Sequence, residues 1–218
     1  MTVAILNERV RFPDPEKANA EGLVAVGGDL SMARLLLAYR SGIFPWTATP
    51  VTWWSPDPRG IFLLDRFHVS RSLARVIRQE VFKVTVDKAF PEVMEGCAAP
   101  APGRRSTWIT REFLDAYGKL HEQGYAHSVE CWQGERLAGG IYGVAIGGFF
   151  AGESMFHRVS NASKVALAHL VEHLRTKRFL LFDIQMLTRI TEQLGAVTIS
   201  RHSYLKRLSK ALAENCSF

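Results

Sequence analysis

The pattern of apolar and polar positions changes character near residue 60. Beyond it, stretches with a two-residue period alternate with stretches of helical period. Tyr125 to Trp132, Leu137 to Ile146 and Phe149 to Phe156 read as strands joined by turns at Gln133-Gly134-Glu135-Arg136 and Gly147-Gly148. Ser160 or Asn161 then opens a long helix running to about Lys177, with Val165, Leu167, Leu170, Val171 and Leu174 as its apolar positions. A further strand, Phe179 to Gln185, is apolar until it reaches Asp183-Ile184-Gln185. A short helix, Gly195, a strand near Val197 to Ser200 and a basic helix from His202 to Leu212 complete the chain.

Upstream of these strands, Ser70 is placed to cap a helix containing Leu73, Val76 and Ile77. Val81 to Val86 reads as a short strand. Asp87 starts a helix burying Phe90, Val93, Met94 and Cys97. Thr110 caps another that buries Phe113, Leu114, Tyr117 and Leu120 and ends near Gly124.

Residues 1–60 are richer in proline and tryptophan. Phe12-Pro13-Asp14-Pro15 is extended or turned, because a residue before proline is pushed out of the helical region. After the turn Gly27-Gly28-Asp29, Ser31 caps a short helix with Met32, Leu35, Leu36 and Tyr39 on one face, and Gly42 stops it. Ile43 to Trp46 and Trp53 to Gly60 read as rigid, proline-pinned loops. Two readings of Trp46, Trp53 and Trp54 stand side by side: the core of a helix-poor subdomain, or a platform on which a ligand ring stacks.

The element order predicts an α+β protein: a small N-terminal subdomain (1–60) and a mixed sheet flanked by helices (61–218). The second part resembles the acyltransferase fold of the N-acetyltransferase superfamily, a GNAT-like fold. Fold alone does not name a reaction.

Composition changes this picture little. The 218 residues are 47% hydrophobic and 22% charged, as in an ordinary globular protein. The formal charge of +6 leans toward a polyanionic partner. Cys97, Cys131 and Cys216 show no metal or redox spacing and are expected to be reduced, in a cytoplasmic protein. No signal peptide or membrane-spanning run is seen.

The candidate chemistry lies at Asp183-Ile184-Gln185. Strand periodicity puts Asp183 and Gln185 on one face and Ile184 on the other. A carboxylate and an amide at the end of an apolar strand are costly to bury without partners or a task. With Glu153, they form a candidate acyl-transfer site. The competing readings are an ion pair of Asp183 with an arginine such as Arg189, and a surface turn carboxylate for Glu153.

A coenzyme A site on this fold needs a glycine-rich turn before the long helix, so that backbone N–H groups meet the pyrophosphate. Here the loop is His157-Arg158-Val159-Ser160-Asn161-Ala162, without glycine, which argues against a CoA donor. There is no P-loop and no dinucleotide fingerprint. His169 and His173, four apart on one helix, read better as a solvated face than as metal ligands.

Six motifs carry a more specific resemblance. They are Gly22-Leu-Val-Ala-Val-Gly-Gly-Asp29-Leu30, Gly42-Ile-Phe-Pro-Trp46, Trp53-Trp-Ser-Pro-Asp-Pro-Arg59, Thr107-Trp108-Ile109-Thr110, Gly152-Glu-Ser-Met-Phe156 and Asp183-Ile-Gln185. In order and spacing the chain resembles the bacterial leucyl/phenylalanyl-tRNA–protein transferases over nearly its whole length.

The resemblance implies an aminoacyltransferase that takes leucine or phenylalanine, and less well methionine, from aminoacyl-tRNA. The acceptor is a protein with N-terminal arginine or lysine, and the product is a degradation signal. No metal or cofactor is implied, and a monomer is expected. Asp183, Gln185 and Glu153 fall at the chemistry. Asp183 is expected to orient Gln185 and the incoming ammonium, and Glu153 to hold a cation.

Phe150 and Met155 carry over to the donor pocket, with Ile141, Tyr39 and Trp46 as walls or stacking partners for the terminal adenine; Trp108 and His157 join the substrate-binding set. For Phe150, Met155 and Ile141 a plain core role is the alternative. Arg71, Arg75, Arg78, Arg104 and Arg105 are candidates for tRNA phosphates, ahead of Lys206, Arg207 and Lys210; any one of them could equally be a solvated helix face. The chain departs from the family pattern at Ile190, where a histidine is common, and at His157, where a small hydroxyl residue is common. Two other classes stay open beside this one: a tRNA-dependent transferase acting on a cell-wall peptide or small amine, and an RNA-binding adaptor.

Overall fold

A computed structural model describes residues 3–100 and 107–218. Arg104 and Arg105 lie outside the described residues. The first strands are β1 (Ala4–Leu6) and β2 (Leu23–Gly27), followed by helix α1 (Met32–Arg40). Then come β3 (Phe44–Ala48), β4 (Val51–Trp54) and β5 (Arg59–Phe62). Helix α2 (Arg71–Arg78), β6 (Lys83–Val86), α3 (Phe90–Ala98) and α4 (Arg111–Glu122) lead into the long strands β7 (Ala126–Gln133), β8 (Arg136–Ile146) and β9 (Phe149–His157). The chain ends with α5 (Ala162–Thr176), β10 (Leu181–Gln185), α6 (Arg189–Gln193), β11 (Ala196–Ile199) and α7 (Arg201–Leu212).

Two mixed sheets result. The smaller has the order β1-β2-β4-β3 and the larger β11-β5-β10-β9-β8-β7-β6. The segments expected to be loops around Trp46 and Trp53 are therefore strands, paired from Phe44↔Trp54 to Ala48↔Val51 with a register shift that skips Trp46. Pro45 is tolerated because β3 is the edge strand, where a missing N–H breaks no ladder. The chain enters the large sheet at Arg59.

The two-residue period sorts the large sheet's side chains between two buried clusters. Tyr142, Val144, Phe149, Ala151 and Leu181 face α3, α4, α7 and the small sheet. Ile141, Ala145, Phe150 and Phe182 face α5. Trp53 is buried in the first cluster, with its Nε1 donating to the Gly27 carbonyl at 2.9 Å. Of the two readings of the tryptophans, the core one therefore applies to Trp53. Trp46 and Trp108 are only half-buried.

Helix boundaries follow local chemistry. The Ser70 hydroxyl accepts from the Leu73 N–H at 3.3 Å and opens α2, whose Arg71, Arg75 and Arg78 are exposed. The helix expected from Asp87 begins later, at Phe90. Asp87 instead accepts from the Ser128 N–H and pairs with His127 Nδ1 at 2.7 Å. Among the described residues no helix is long and apolar enough to cross a membrane.

Candidate active site

The site forms where two parallel strands part. β9 and β10 pair from Leu181↔Phe149 to Asp183↔Ala151, and the ladder stops there. At the same level both strands are irregular toward their other neighbours. On β9, Tyr142 of β8 opposes Ser154 while Gly143 opposes Gly152, leaving Glu153 as the extra residue of a bulge. On β10, Asp183 opposes Ile61 of β5 and Gln185 opposes Gly60, which skips Ile184. Bulges of this kind re-aim side chains beside active sites.

Gln185 also has φ of 57°, a left-handed conformation that a non-glycine residue adopts only when its surroundings enforce it. The enforcement is visible. The Asp183 Oδ1 accepts from the Gln185 N–H at 2.9 Å. Gly60 lies so close beneath that a Cβ there would meet the Met186 carbonyl carbon at 2.8 Å.

The strict alternation expected of Asp183-Ile184-Gln185 consequently fails at its last step. Asp183 is sealed beneath the strand, while Ile184 and Gln185 both line the open space. Asp183 is in a buried ion pair, but its partner is not Arg189, which is exposed at the start of α6. It is Arg59, whose Nε and Nη2 reach the two carboxylate oxygens at 2.8 and 2.6 Å. Tyr204 Oη adds a hydrogen bond to Asp183 Oδ2 at 3.0 Å. Arg59 is further held by the Gly42 carbonyl and lies over the Phe44 and Tyr204 rings. Burial works against the guanidinium charge, and the Asp183 carboxylate overrides it, raising the Arg59 pKa above its usual value.

Glu153 bridges the parted strands. Its Oε1 accepts from Gln185 Nε2 at 3.3 Å, and its Oε2 from Tyr117 Oη at 3.2 Å. Tyr117 shares a short hydrogen bond with Tyr39. Burial pushes the Glu153 carboxyl up to about 8; Tyr39 and Tyr117 pull against that rise, Asp183 adds to it and Arg59 opposes it. Burial likewise raises the pKa of both tyrosines, so they stay protonated donors.

Two hollows flank this bridge. One, of about 180 Å³, is bounded by Phe44, Pro45, Trp46 and Trp108. The other, of about 170 Å³, is bounded by Phe62, Ile141, Met155, Leu167 and Phe182. Glu153, Ile184, Gln185, Met186 and Thr188 belong to both. A larger groove of about 780 Å³ lies elsewhere, between α2, β6 and α5, away from Glu153 and Gln185.

Of the candidate site residues, Trp46, Trp108, Ile141, Met155, Glu153 and Gln185 line one or both of these hollows. Other expected residues do not reach the space. Phe150 is buried one layer behind, edge-on to Phe182 with ring centroids 5.5 Å apart. Tyr39 lies beneath Glu153 and not at the surface of either hollow. His157 is exposed at the far end of β9, on a separate cleft that it shares with Met155, Arg158 and Ile190. The exposed Arg71, Arg75 and Arg78 line neither hollow.

The structure adds Arg59, Tyr117, Tyr204, Phe44 and Met186. Arg59 and Tyr204 reach Asp183 across 124 and 21 positions, so no local pattern announces them. Tyr117 was legible as a core position of its helix. Its hydroxyl, which needs a partner when buried, was the one hint of more.

Known proteins agree with the motif reading. The sequence profile of the leucyl/phenylalanyl-tRNA protein transferase family matches residues 61–209, and that of the family's N-terminal domain matches residues 28–57. A leucyl/phenylalanyl-tRNA–protein transferase of Anaeromyxobacter sp. (strain Fw109-5) is 51% identical over 215 residues, covering 97% of this chain and 92% of that one. Proteins of the same name from Shewanella baltica (strain OS155) and Oleidesulfovibrio alaskensis are each 49% identical, over 91% and 97% of this chain and 86% and 89% of their own. The solved structure of L-PGS from Bacillus licheniformis aligns with 77% of this chain and 54% of its own at 12% identity. Its TM-score of 0.43 marks a likeness too distant to carry an argument. Both parts of the chain are matched, and half the residues are shared with the first of these relatives over nearly its full length. The chain belongs to the leucyl/phenylalanyl-tRNA–protein transferase family of aminoacyltransferases.

Proposed function

We propose that this enzyme moves leucine or phenylalanine, and less readily methionine, from aminoacyl-tRNA to the N-terminal arginine or lysine of acceptor proteins. The product carries a new N-terminus that marks it for degradation. The observation that carries the reading is the pair of hollows meeting at Glu153 and Gln185. The hollow bounded by Ile141, Met155 and Phe182 suits an unbranched-Cβ apolar side chain, and methionine at its wall adapts to differing shapes. The hollow bounded by Trp46 and Trp108 suits the flat terminal adenine. The ester between them then lies over the shared wall.

The ester is already activated, so the enzyme's work is positioning and charge stabilisation. Asp183 acts through the backbone: it holds the Gln185 N–H and so aims the amide. The Gln185 side chain supplies a donor for the oxygen that gains charge. The parting of β9 and β10, with α5 as the crossover between them, supports the GNAT-like assignment of residues 61–218. Residues 1–60 contribute Phe44, Pro45 and Trp46. Exposed Arg71, Arg75 and Arg78 are the described candidates for tRNA phosphates, in a monomeric cytoplasmic enzyme.

The test is transfer of labelled phenylalanine from Phe-tRNA to peptides differing only at the N-terminal residue. Label should reach peptides beginning with Arg or Lys. Transfer indifferent to that residue would favour an enzyme of another acceptor class. Binding of tRNA without any transfer would leave only an RNA-binding adaptor.

A further inference from the structure

Peptide-bond formation from an ester and an ammonium must dispose of two protons. One leaves the ammonium before attack, and the other leaves the tetrahedral nitrogen as the ester C–O bond breaks. The groups available to receive the first are few. Among the described residues that line the two hollows, Glu153 is the only ionisable one. Asp183 is not available: its Oδ1 accepts from Arg59 Nε and the Gln185 N–H, and its Oδ2 from Arg59 Nη2 and Tyr204. Gln185 offers an amide, which orients groups by hydrogen bonds but does not hold a proton.

We propose, resting on the transfer reading above, that Glu153 is the proton acceptor of the reaction. Its carboxylate takes one proton from the acceptor's α-ammonium. The neutral amine attacks the ester carbonyl carbon. The tetrahedral adduct collapses with cleavage of the bond to the tRNA ribose oxygen, and the second proton passes from the nitrogen to that leaving oxygen. Glu153 then returns its proton to water. One amide and one ribose hydroxyl form, and one proton is released.

The surroundings of Glu153 fit this task. Gln185 Nε2 fixes Oε1 and Tyr117 Oη fixes Oε2, so the carboxyl group is aimed before substrate enters. The bulge on β9 is what turns it toward the parted strands. The charged and titratable groups packed around it are Tyr39 on α1, Tyr117 on α4, Tyr142 on β8, Arg59 on β5 and Asp183 on β10. The free carboxyl titrates at about 8, close to the 7.7–8.0 of an α-amine, so proton transfer between the two is nearly balanced. At pH 7 the empty site holds this carboxyl mainly protonated, and an arriving ammonium favours the carboxylate.

The test measures kcat and acceptor KM with saturating Phe-tRNA and an Arg-initiated peptide between pH 6 and 10. Glu153→Gln keeps the shape of the side chain. It should lower kcat at pH 7 about 100-fold or more with acceptor KM within a few-fold of wild type. The deficit should narrow above pH 9, where the amine is neutral unaided. Tyr117→Phe removes a donor that lowers the Glu153 pKa, so its kcat profile should shift to higher pH. An acceptor KM that rises in Glu153→Gln while kcat is kept would overturn the proposal and reduce Glu153 to a cation anchor. An unshifted profile in Tyr117→Phe would also overturn it. Wild-type enzyme that transfers no label would overturn the transfer reading itself, and this assignment with it.

Discussion

Arg59→Met is expected to destabilise the protein by about 3–5 kcal/mol, and Asp183→Ala by a similar amount, because each leaves a buried charge without its partner. Both side chains are essentially inaccessible, at 1% and 0% exposure. For a chain of this length that loss lowers Tm by about 6–20 °C. The double variant Arg59→Met/Asp183→Leu should recover most of the stability, since an apolar pair removes both desolvation penalties. It should not recover transfer. Asp183 Oδ1 is also the acceptor that holds the Gln185 N–H in its left-handed conformation, and leucine provides none. Denaturant unfolding and transfer rates measured on all three variants separate the two roles. A double variant that is both stable and fully active would make the ion pair purely structural.

Gln185→Ala is expected to lower kcat about 10²–10³-fold, the usual effect of removing one donor from a developing oxyanion. Stability should change little, because the side chain lies at the edge of the hollows and its backbone clamp, Asp183 to the Gln185 N–H, survives. The acceptor KM should move less than kcat, since an interaction made mainly in the transition state appears in kcat. One complication is built into the geometry: Gln185 Nε2 also contacts Glu153 Oε1. Gln185→Ala and Glu153→Gln should therefore combine non-additively, as groups in one hydrogen-bonded unit do. Simple additivity in the double-mutant cycle would mean that the two act separately.

Much of the fold was legible because it rests on local rules. The two-residue period placed β7, β8 and β9, and the apolar spacing placed α5. The misses have physical causes. β3 and β4 contain proline and consecutive tryptophans, which read as loop, yet edge pairing and burial of Trp53 make strands of them. Asp87 looked like a helix start, but its carboxylate is taken by His127 and the Ser128 N–H, and the helix waits until Phe90.

At the site, the residue types were legible and their directions were not. Period two put Asp183 and Gln185 on one face; bulges on β9 and β10 overrode it, and bulges depend on neighbouring strands that a single segment does not describe. The sequence suggests an ion pair on Asp183, but Arg59 rather than Arg189 makes it, from the neighbouring strand β5, whose first residues, Arg59 and Gly60, read as loop. Tyr117 differs from its apolar neighbours on α4 only in its hydroxyl, and that hydroxyl reaches Glu153.

The central claim is that the donor ester lies over the Glu153–Gln185 wall with its side chain and adenine in separate hollows. A crystal structure with a stable puromycin-like aminoacyl-adenosine tests it most directly. The expected result places the amino-acid side chain between Ile141, Met155 and Phe182, the adenine against Trp46 and Trp108, and the carbonyl oxygen within hydrogen-bonding reach of the Gln185 amide. An aminoacyl group bound elsewhere, or a carbonyl out of reach of Gln185, would contradict it.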